Sequence, residues 1–338
     1  MAPGLNDYPP DKNGREKMKR AVAAIMVLTA FVSGAHAQDS KAGEIAVFTK
    51  NNVDPFFEEA RSGATLAAKS LGYSTVQYAP TRPNNFQEQI AQVEDAITRK
   101  PLGMIFVPVD RKGMKPSVDK VSGAGIPIIN FIDRGEGNFT SYVVYDDHQI
   151  GFEVTTLLAE KLGGKGNVVI IEGVKGSTTS DGRVAGAKEA LKKYPGITLL
   201  ASQAANYQRL QALAVMENLM QQFPQIDGII AASDNMALGA IEAMESAGRG
   251  GAQAVSMDGT IDGVQAVSAG RLLASSEFSG FQMGCSAVEI IDRLAKKEAV
   301  PESLVLKATI ITKENAGNFG KPLEQRTCKQ LAELGLGN

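Results

Sequence analysis

Basic residues are in no surplus: 35 Lys and Arg stand against 37 Asp and Glu in 338 residues, a formal net charge of -2. Such a balance provides no cationic face to neutralise a run of phosphates, which argues against a general nucleic-acid binder. Histidine is scarcer still, with only His36 and His148, and His36 falls in a segment expected to be removed. That leaves almost no room for a His-based triad or a multi-His metal site. The apolar run near the start, Ala21 to Val32, has twelve residues, whereas a membrane span requires roughly 20. What is present is an ordinary globular composition, 43% hydrophobic with 35 Gly, neither disordered nor collagen-like. The length suits two domains of roughly 150 residues each.

That short run has an address-like setting. Met18, Lys19 and Arg20 precede it, and Ser33-Gly34-Ala35-His36-Ala37 follow before Gln38. A basic region, a short apolar region and an A-x-A site read as a secretory signal peptide, with cleavage expected after Ala37 and a soluble periplasmic product. Residues 1–17 are polar and contain Pro9-Pro10, so Met18 is the expected start. Removing residues 1–37 leaves 30 basic against 34 acidic side chains, a net charge of about -4. Cys285 and Cys328 then lie in an oxidising compartment, where an even pair is permitted to bridge. Two separate thiols, one buried and one in a loose tail, are the alternative.

Along the mature chain, short β-branched runs recur about every 30 residues, each followed by apolar residues at helical spacing. This predicts βα units and parallel sheets. One set of strands is expected at 44–49, 74–78, 103–107, 127–131 and 142–145. A second set is expected at 167–171, 197–202, 228–232 and 252–257, with a further strand at 272–277. Phe57, Ala60, Ala64, Ala67, Ala68 and Leu71 share one face of the first helix, for which Asp54-Pro55 supplies the N-cap and first residue. A helix is expected over 281–297 and an extended stretch over 304–312. The fold class is therefore α/β, with two similar doubly wound parallel-sheet lobes. No Pro- or Ser-rich tether separates them, so short strand-like segments must join them.

Motifs for nucleotide and hydrolase chemistry are missing. Gly164-Lys165-Gly166 precedes its strand instead of following it, and Gly317 to Lys321 lacks both the Walker spacing and the hydroxyl after Lys. Neither a Gly-x-Ser-x-Gly elbow nor HExxH occurs. No residue is assigned as catalytic or metal-binding, and no cofactor is implied.

Four collinear stretches carry a resemblance: Ile45 to Phe57 ending Asp-Pro-Phe-Phe, Ile128 to Arg134 ending Asp-Arg, Ala201 to Met220 containing Asn-Tyr-Gln-Arg, and Ser233 to Gly239 reading SDNMALG. Val255 to Gly263, with Met-Asp-Gly-Thr, fits the same pattern. The set resembles the periplasmic sugar-binding proteins of ABC importers, ribose-binding type, from about residue 43 to about residue 312. The resemblance implies ligand capture in the cleft between two lobes joined by a three-segment hinge, with crossovers near Tyr145, Gly280 and Leu306. It implies an N-terminal lobe of residues 43–145 plus 280–305, a C-terminal lobe of 146–279 plus 306–320, and a tail of 321–338. Closure gives binding its mechanism, because the ligand meets both lobes only in the closed form.

Position by position, the resemblance implies that Phe56 and Phe57 line one side of the site and Tyr207 the other. Asp133 and Arg134 match an Asp-Arg pair that grips vicinal hydroxyls, and Arg183 and Asp258 match further hydroxyl ligands. Asp54 stands where relatives often have Asn, and Lys50 where some have a ligand-contacting lysine. Ser233 and Phe278 depart from the pattern, since amides are usual at both positions. Charged groups suit sugar hydroxyls and aromatic planes suit the apolar ring face. Three acids, Asp54, Asp133 and Asp258, favour a neutral sugar or polyol over a sugar acid that would use Lys50, Arg134 and Arg183.

The implied partners are that small ligand and the membrane subunits of an ABC permease, with a chemoreceptor as a further output and no nucleic acid. The chain is expected to act as a monomer. A repressor built on the same fold would begin with a helix-turn-helix in place of an export signal. A carbohydrate-processing enzyme using Asp133 and Asp258 as an acid/base pair is the remaining rival.

Overall fold

Four buried residues, Ile45 to Phe48, form nearly all of the first strand, as expected where helices cover both faces of a parallel sheet. The computed structural model describes residues 43–335; the segment read as a signal peptide and its expected cleavage site lie outside the described residues. The first sheet contains β1 (Glu44–Phe48), β2 (Ser74–Tyr78), β3 (Gly103–Phe106), β4 (Ile128–Phe131), β5 (Ser141–Tyr145) and β11 (Ser303–Leu306), in the order β11-β5-β4-β3-β1-β2. All of its pairings are parallel.

The second sheet contains β6 (Lys165–Glu172), β7 (Gly196–Ala204), β8 (Gly228–Ala231), β9 (Gln253–Asp258), β10 (Ala274–Glu277) and β12 (Thr309–Thr312), in the order β12-β10-β9-β8-β6-β7. Here β12 runs antiparallel to β10. The stretch expected to be extended over 304–312 is thus two strands in two different sheets, parted at Lys307 and Ala308. The chain also changes sheet after Tyr145 and again between Glu277 and Gly280. These three links form the hinge.

Helices α1 (Pro55–Ser70), α2 (Phe86–Arg99) and α3 (Lys115–Gly123) belong to the first lobe; α4 (Asp147–Lys161), α5 (Thr178–Lys192), α6 (Arg209–Gln222), α7 (Asp234–Ser246) and α8 (Ile261–Ser268) to the second. The next helix, α9 (Gly280–Ala295), returns to pack on α1. That contact depends on two missing side chains: a Cβ on Gly63 would sit 2.0 Å from the Phe281 carbonyl oxygen, and one on Gly284 would sit 2.2 Å from that of Ala60. No helix among the described residues is long and apolar enough to cross a membrane.

Beyond β12 the chain does not end on the second lobe. Ala316 is buried there, after which the chain passes back to the first lobe. Arg326 forks onto the Glu59 carboxylate at 2.8 and 3.2 Å, and the Leu331 N–H donates to Glu289 Oε2 at 2.8 Å. Leu331 is fully buried. Cys328 is joined to Cys285 on α9, with their Cα atoms 5.6 Å apart. The tail is therefore a fourth span between the lobes.

Candidate ligand-binding site

Both sheets end at one cleft, and the carboxyl ends of their strands supply its lining, as open α/β sheets usually do. From the first lobe come Lys50 and Asn51 after β1, Asp54, Phe56 and Phe57 at the start of α1, and Ile132 and Asp133 after β4. From the second come Ser177, Thr179 and Arg183 around the start of α5, Asn206 and Tyr207 after β7, and Asp258 at the end of β9. Phe278, from the second crossover, closes the cavity.

Local sequence fixes several of these positions. Asn51 Oδ1 accepts from the N–H groups of Val53 and Asp54 at 3.0 and 2.9 Å, and Asp54 then caps α1 by accepting from Phe56 N–H at 3.1 Å. Proline at the first helical position needs no such partner. The chain turns through left-handed backbone at Ile132 (φ 70°), Asn206 (φ 52°) and Tyr207 (φ 61°), and Asp258 sits at φ 127°. Each such non-glycine residue costs about 1 to 3 kcal/mol, and such strain clusters at functional sites. Room for the Tyr207 ring comes from Gly173, where a Cβ would lie 2.2 Å from the ring.

Electrostatics in the cleft centre on Arg183, which is 1% exposed. Its Nη1 donates to Asp258 Oδ1 at 2.8 Å and to the Ala232 carbonyl at 2.6 Å, and its Nε donates to Asp147 Oδ1 at 3.0 Å. The guanidinium lies 4.3 Å over the Phe278 ring, whose other neighbours are Tyr145 and Phe56 at 4.5 and 5.4 Å. Nη2 of Arg183 and the Tyr207 hydroxyl are buried without a hydrogen-bond partner. Burial pushes the Asp258 carboxyl up, Arg183 pulls it back, and Asp234 and Asp54 add to the push. Burial likewise raises Asp54 to about 6, against the opposing Phe56 N–H and Arg183.

Asp133 behaves in the opposite way. Burial would raise it, but the Lys50 ammonium and the N–H and hydroxyl donors around it more than offset that, leaving it at about 2. Its Oδ2 takes Lys50, and its Oδ1 accepts from Ser177 Oγ, Thr178 Oγ1 and Thr179 N–H at 2.8, 3.0 and 3.0 Å.

Nine of the eleven expected ligand residues line this cavity: Lys50, Asp54, Phe56, Phe57, Asp133, Arg183, Tyr207, Asp258 and Phe278. Two do not. Arg134 points away, donating to Ser303 Oγ at 2.8 Å with its guanidinium 5.0 Å from the Tyr142 ring. Beyond the turn at Ile132, which brings Ile132 and Asp133 into the cavity lining, the Arg134 guanidinium is taken up by Ser303 on β11 and Tyr142 on β5. Ser233 is fully buried as the N-cap of α7, accepting from Met236 N–H at 3.2 Å. The rest of its motif is scaffolding: Asp234 accepts from Ser275 Oγ at 2.6 Å and from Thr260 N–H and Oγ1, both at 2.8 Å, and Asn235 holds the Tyr207 carbonyl at 3.1 Å. His148 is exposed, with Nε2 3.2 Å from Glu189.

The sequence reading missed Asn51, Asn84, Ile132, Ser177, Thr179 and Asn206 from this lining. A signal existed for two of them, since Ser177-Thr178-Thr179 follows a strand and precedes a helix, an N-cap pattern at a strand's carboxyl end.

A larger cavity of about 620 Å³ lies between the crossovers and the tail, against about 40 Å³ in the cleft. Glu277 and Ser279 face the former and Phe278 the latter, so the two lie on opposite sides of the second crossover. The larger cavity has exposed lysines at 307, 321 and 329 beside the carboxyls of Glu59 and Glu277, whose pKa values are both raised by burial, whereas the smaller gathers five buried charged side chains, Lys50, Asp54, Asp133, Arg183 and Asp258, at the carboxyl ends of the strands.

Comparison with known proteins agrees with this geometry. The periplasmic binding protein domain matches residues 45–299. The xylitol-binding protein of Mycolicibacterium smegmatis is 33% identical over 85% of this chain and 82% of its own length. The ribose import binding protein of Escherichia coli is 30% identical over 88% of this chain and 99% of its own. A crystal structure of an ABC transporter periplasmic solute binding protein from Actinobacillus succinogenes with bound D-allose is 30% identical, with a TM-score of 0.78, covering 82% of this chain and 100% of that one. A solute binding protein from Mycobacterium smegmatis with bound glycerol is 26% identical, with a TM-score of 0.79, covering 83% and 98%. Two parallel-sheet lobes, a hinge of three links and a charged, aromatic-walled cleft thus accompany a match over most of the chain, which belongs to the periplasmic binding protein family, the solute receptors of ABC importers.

Proposed function

We propose that this protein captures a small neutral sugar or polyol in the cleft and presents it, by closing its lobes, to the membrane subunits of an ABC permease. The observation that carries the reading is the pair of buried, unpartnered polar atoms, Arg183 Nη2 and Tyr207 Oη, beside the carboxylates of Asp54 and Asp258 and the rings of Phe56 and Phe57. Leaving a buried polar atom unsatisfied is costly, about 1 to 3 kcal/mol. A polyhydroxylated ligand offers donors and acceptors to such a set and an apolar edge to the rings. The acidic side of the lining disfavours an anionic ligand. Relatives that bind xylitol, ribose, D-allose or glycerol point to the same class.

The protein is a receptor and not an enzyme in this reading, exported by the segment ending at Ala37 and working as a monomer. A thermal-shift panel on the processed protein, stripped of bound ligand, tests it with xylitol, ribose, D-allose, glycerol and the corresponding sugar acids. A ligand at 100 times its Kd adds about 2.7 kcal/mol of stability, and it should be recovered chemically unchanged. A panel in which only the acids shift the melting point would overturn the neutral-ligand assignment.

A further inference from the structure

We propose that Thr178, which does not line the cavity, is the latch that holds the two lobes closed. It opens α5 on the second lobe, yet both hydrogen bonds of its hydroxyl cross to the first. Oγ1 accepts from the Arg134 N–H at 2.9 Å and donates to Asp133 Oδ1 at 3.0 Å. Ser177 Oγ and Thr179 N–H reach the same carboxylate oxygen from the second lobe, at 2.8 and 3.0 Å. Lys50, from the carboxylate's own lobe, pairs with Oδ2.

Asp133 is therefore an anion supplied by one lobe and bonded by three donors of the other. It makes interlobe contact as well as lining the cavity: Oδ1 takes the three donors of the second lobe, while Oδ2 takes Lys50. Opening the cleft breaks all of these cross-lobe bonds at once. They add to the stability of the closed form in the absence of ligand, and apparent affinity scales with the fraction of protein that is binding-competent. Among the latch side chains, Thr178 is the one that can be altered without touching the cavity, since Ser177, Thr179, Asp133 and Lys50 all line it.

The ligand arm of the test rests on the receptor reading; the scattering arm does not. Thr178→Val keeps the shape and removes the hydroxyl, and Thr178→Ser restores it. For xylitol and ribose, the valine variant of the full processed protein is expected to bind about tenfold more weakly, mostly through a faster off-rate. The serine variant should stay within about twofold of the wild type. Small-angle X-ray scattering without sugar should give a larger radius of gyration for valine than for serine or the wild type. A valine variant with the wild-type off-rate and the wild-type radius overturns the latch. If the wild type binds neither sugar, that failure belongs to the ligand assignment, and the radius alone decides: an increase in the valine variant supports the latch and an unchanged value overturns it.

Discussion

Arg183 donates from Nη1 to Asp258 Oδ1 at 2.8 Å, while its other terminal nitrogen, Nη2, is buried without a hydrogen-bond partner. The carboxylate fixes the guanidinium plane of a residue in the cleft lining and leaves the hydrogen-bonding capacity of Nη2 unspent. Asp147 holds the same side chain from behind through Nε.

Replacing Arg183 by Met should abolish sugar binding and also destabilise the protein by about 3 to 5 kcal/mol, because Asp147 and Asp258 would be left buried without their cation. Asp258→Asn preserves the shape and should lower affinity by at least about tenfold with a smaller loss of stability. Urea denaturation together with calorimetric titration separates the two effects.

Gly173→Ala should act on the ligand from outside the cavity. Its Cβ would collide with the Tyr207 ring at 2.2 Å, and such overpacking costs about 1 to 3 kcal/mol. The expected signature is weaker binding together with a lower melting temperature. In a Tyr207→Ala background, the stability loss should largely disappear.

Stability should pass through a maximum near about pH 4 to 5. Burial outweighs Arg183 at Asp147 and raises it to about 7, while a carboxyl in the unfolded chain titrates near 3.9. Between those values the folded protein binds more protons, so stability falls as pH rises, and Asp54 acts in the same direction. Asp133, at about 2, contributes above about pH 4 and loses that contribution as pH falls toward 2. Urea midpoints across pH 3 to 8 should show both limbs, and Asp147→Asn should flatten the upper one.

Reducing the bridge between Cys285 and Cys328, which are 43 residues apart in sequence, should lower stability by up to about 4 kcal/mol on the loop-closure scale. Unfolding with and without reductant measures it. A loss near zero would mean that Arg326 and Leu331 hold the tail by themselves.

Sequence was a good guide where a residue's role is set by its immediate neighbours. Asp54-Pro55 announced a helix start, and Phe56 and Phe57 followed into the cleft. The strand segments and the two parallel-sheet lobes came from the regular alternation of β-branched runs with amphipathic helices. The failures are equally physical. Arg134 adjoins Asp133 in sequence, but its guanidinium is taken by Ser303, 169 residues away. Ser233 opens the SDNMALG stretch that carries the resemblance, yet its hydroxyl is taken by the N-terminus of α7. Ser177 and Thr179 stand in an N-cap pattern at a strand's end, but their bonds to Asp133, 44 and 46 residues away, lie beyond any local pattern. The docked tail depends on Glu59 and Cys285, equally remote from it.

The bridge makes a closed covalent ring of residues 285–328, and that ring passes through β11 of the first lobe and β12 of the second. The third crossover lies inside it, at the exposed Lys307. A protease that nicked the chain after Lys307 would cut one of the three hinge links, yet the fragments would stay joined through sulfur. The hinge is thereby given redundancy, and non-reducing electrophoresis after limited trypsin digestion should show an intact band that separates into two on reduction.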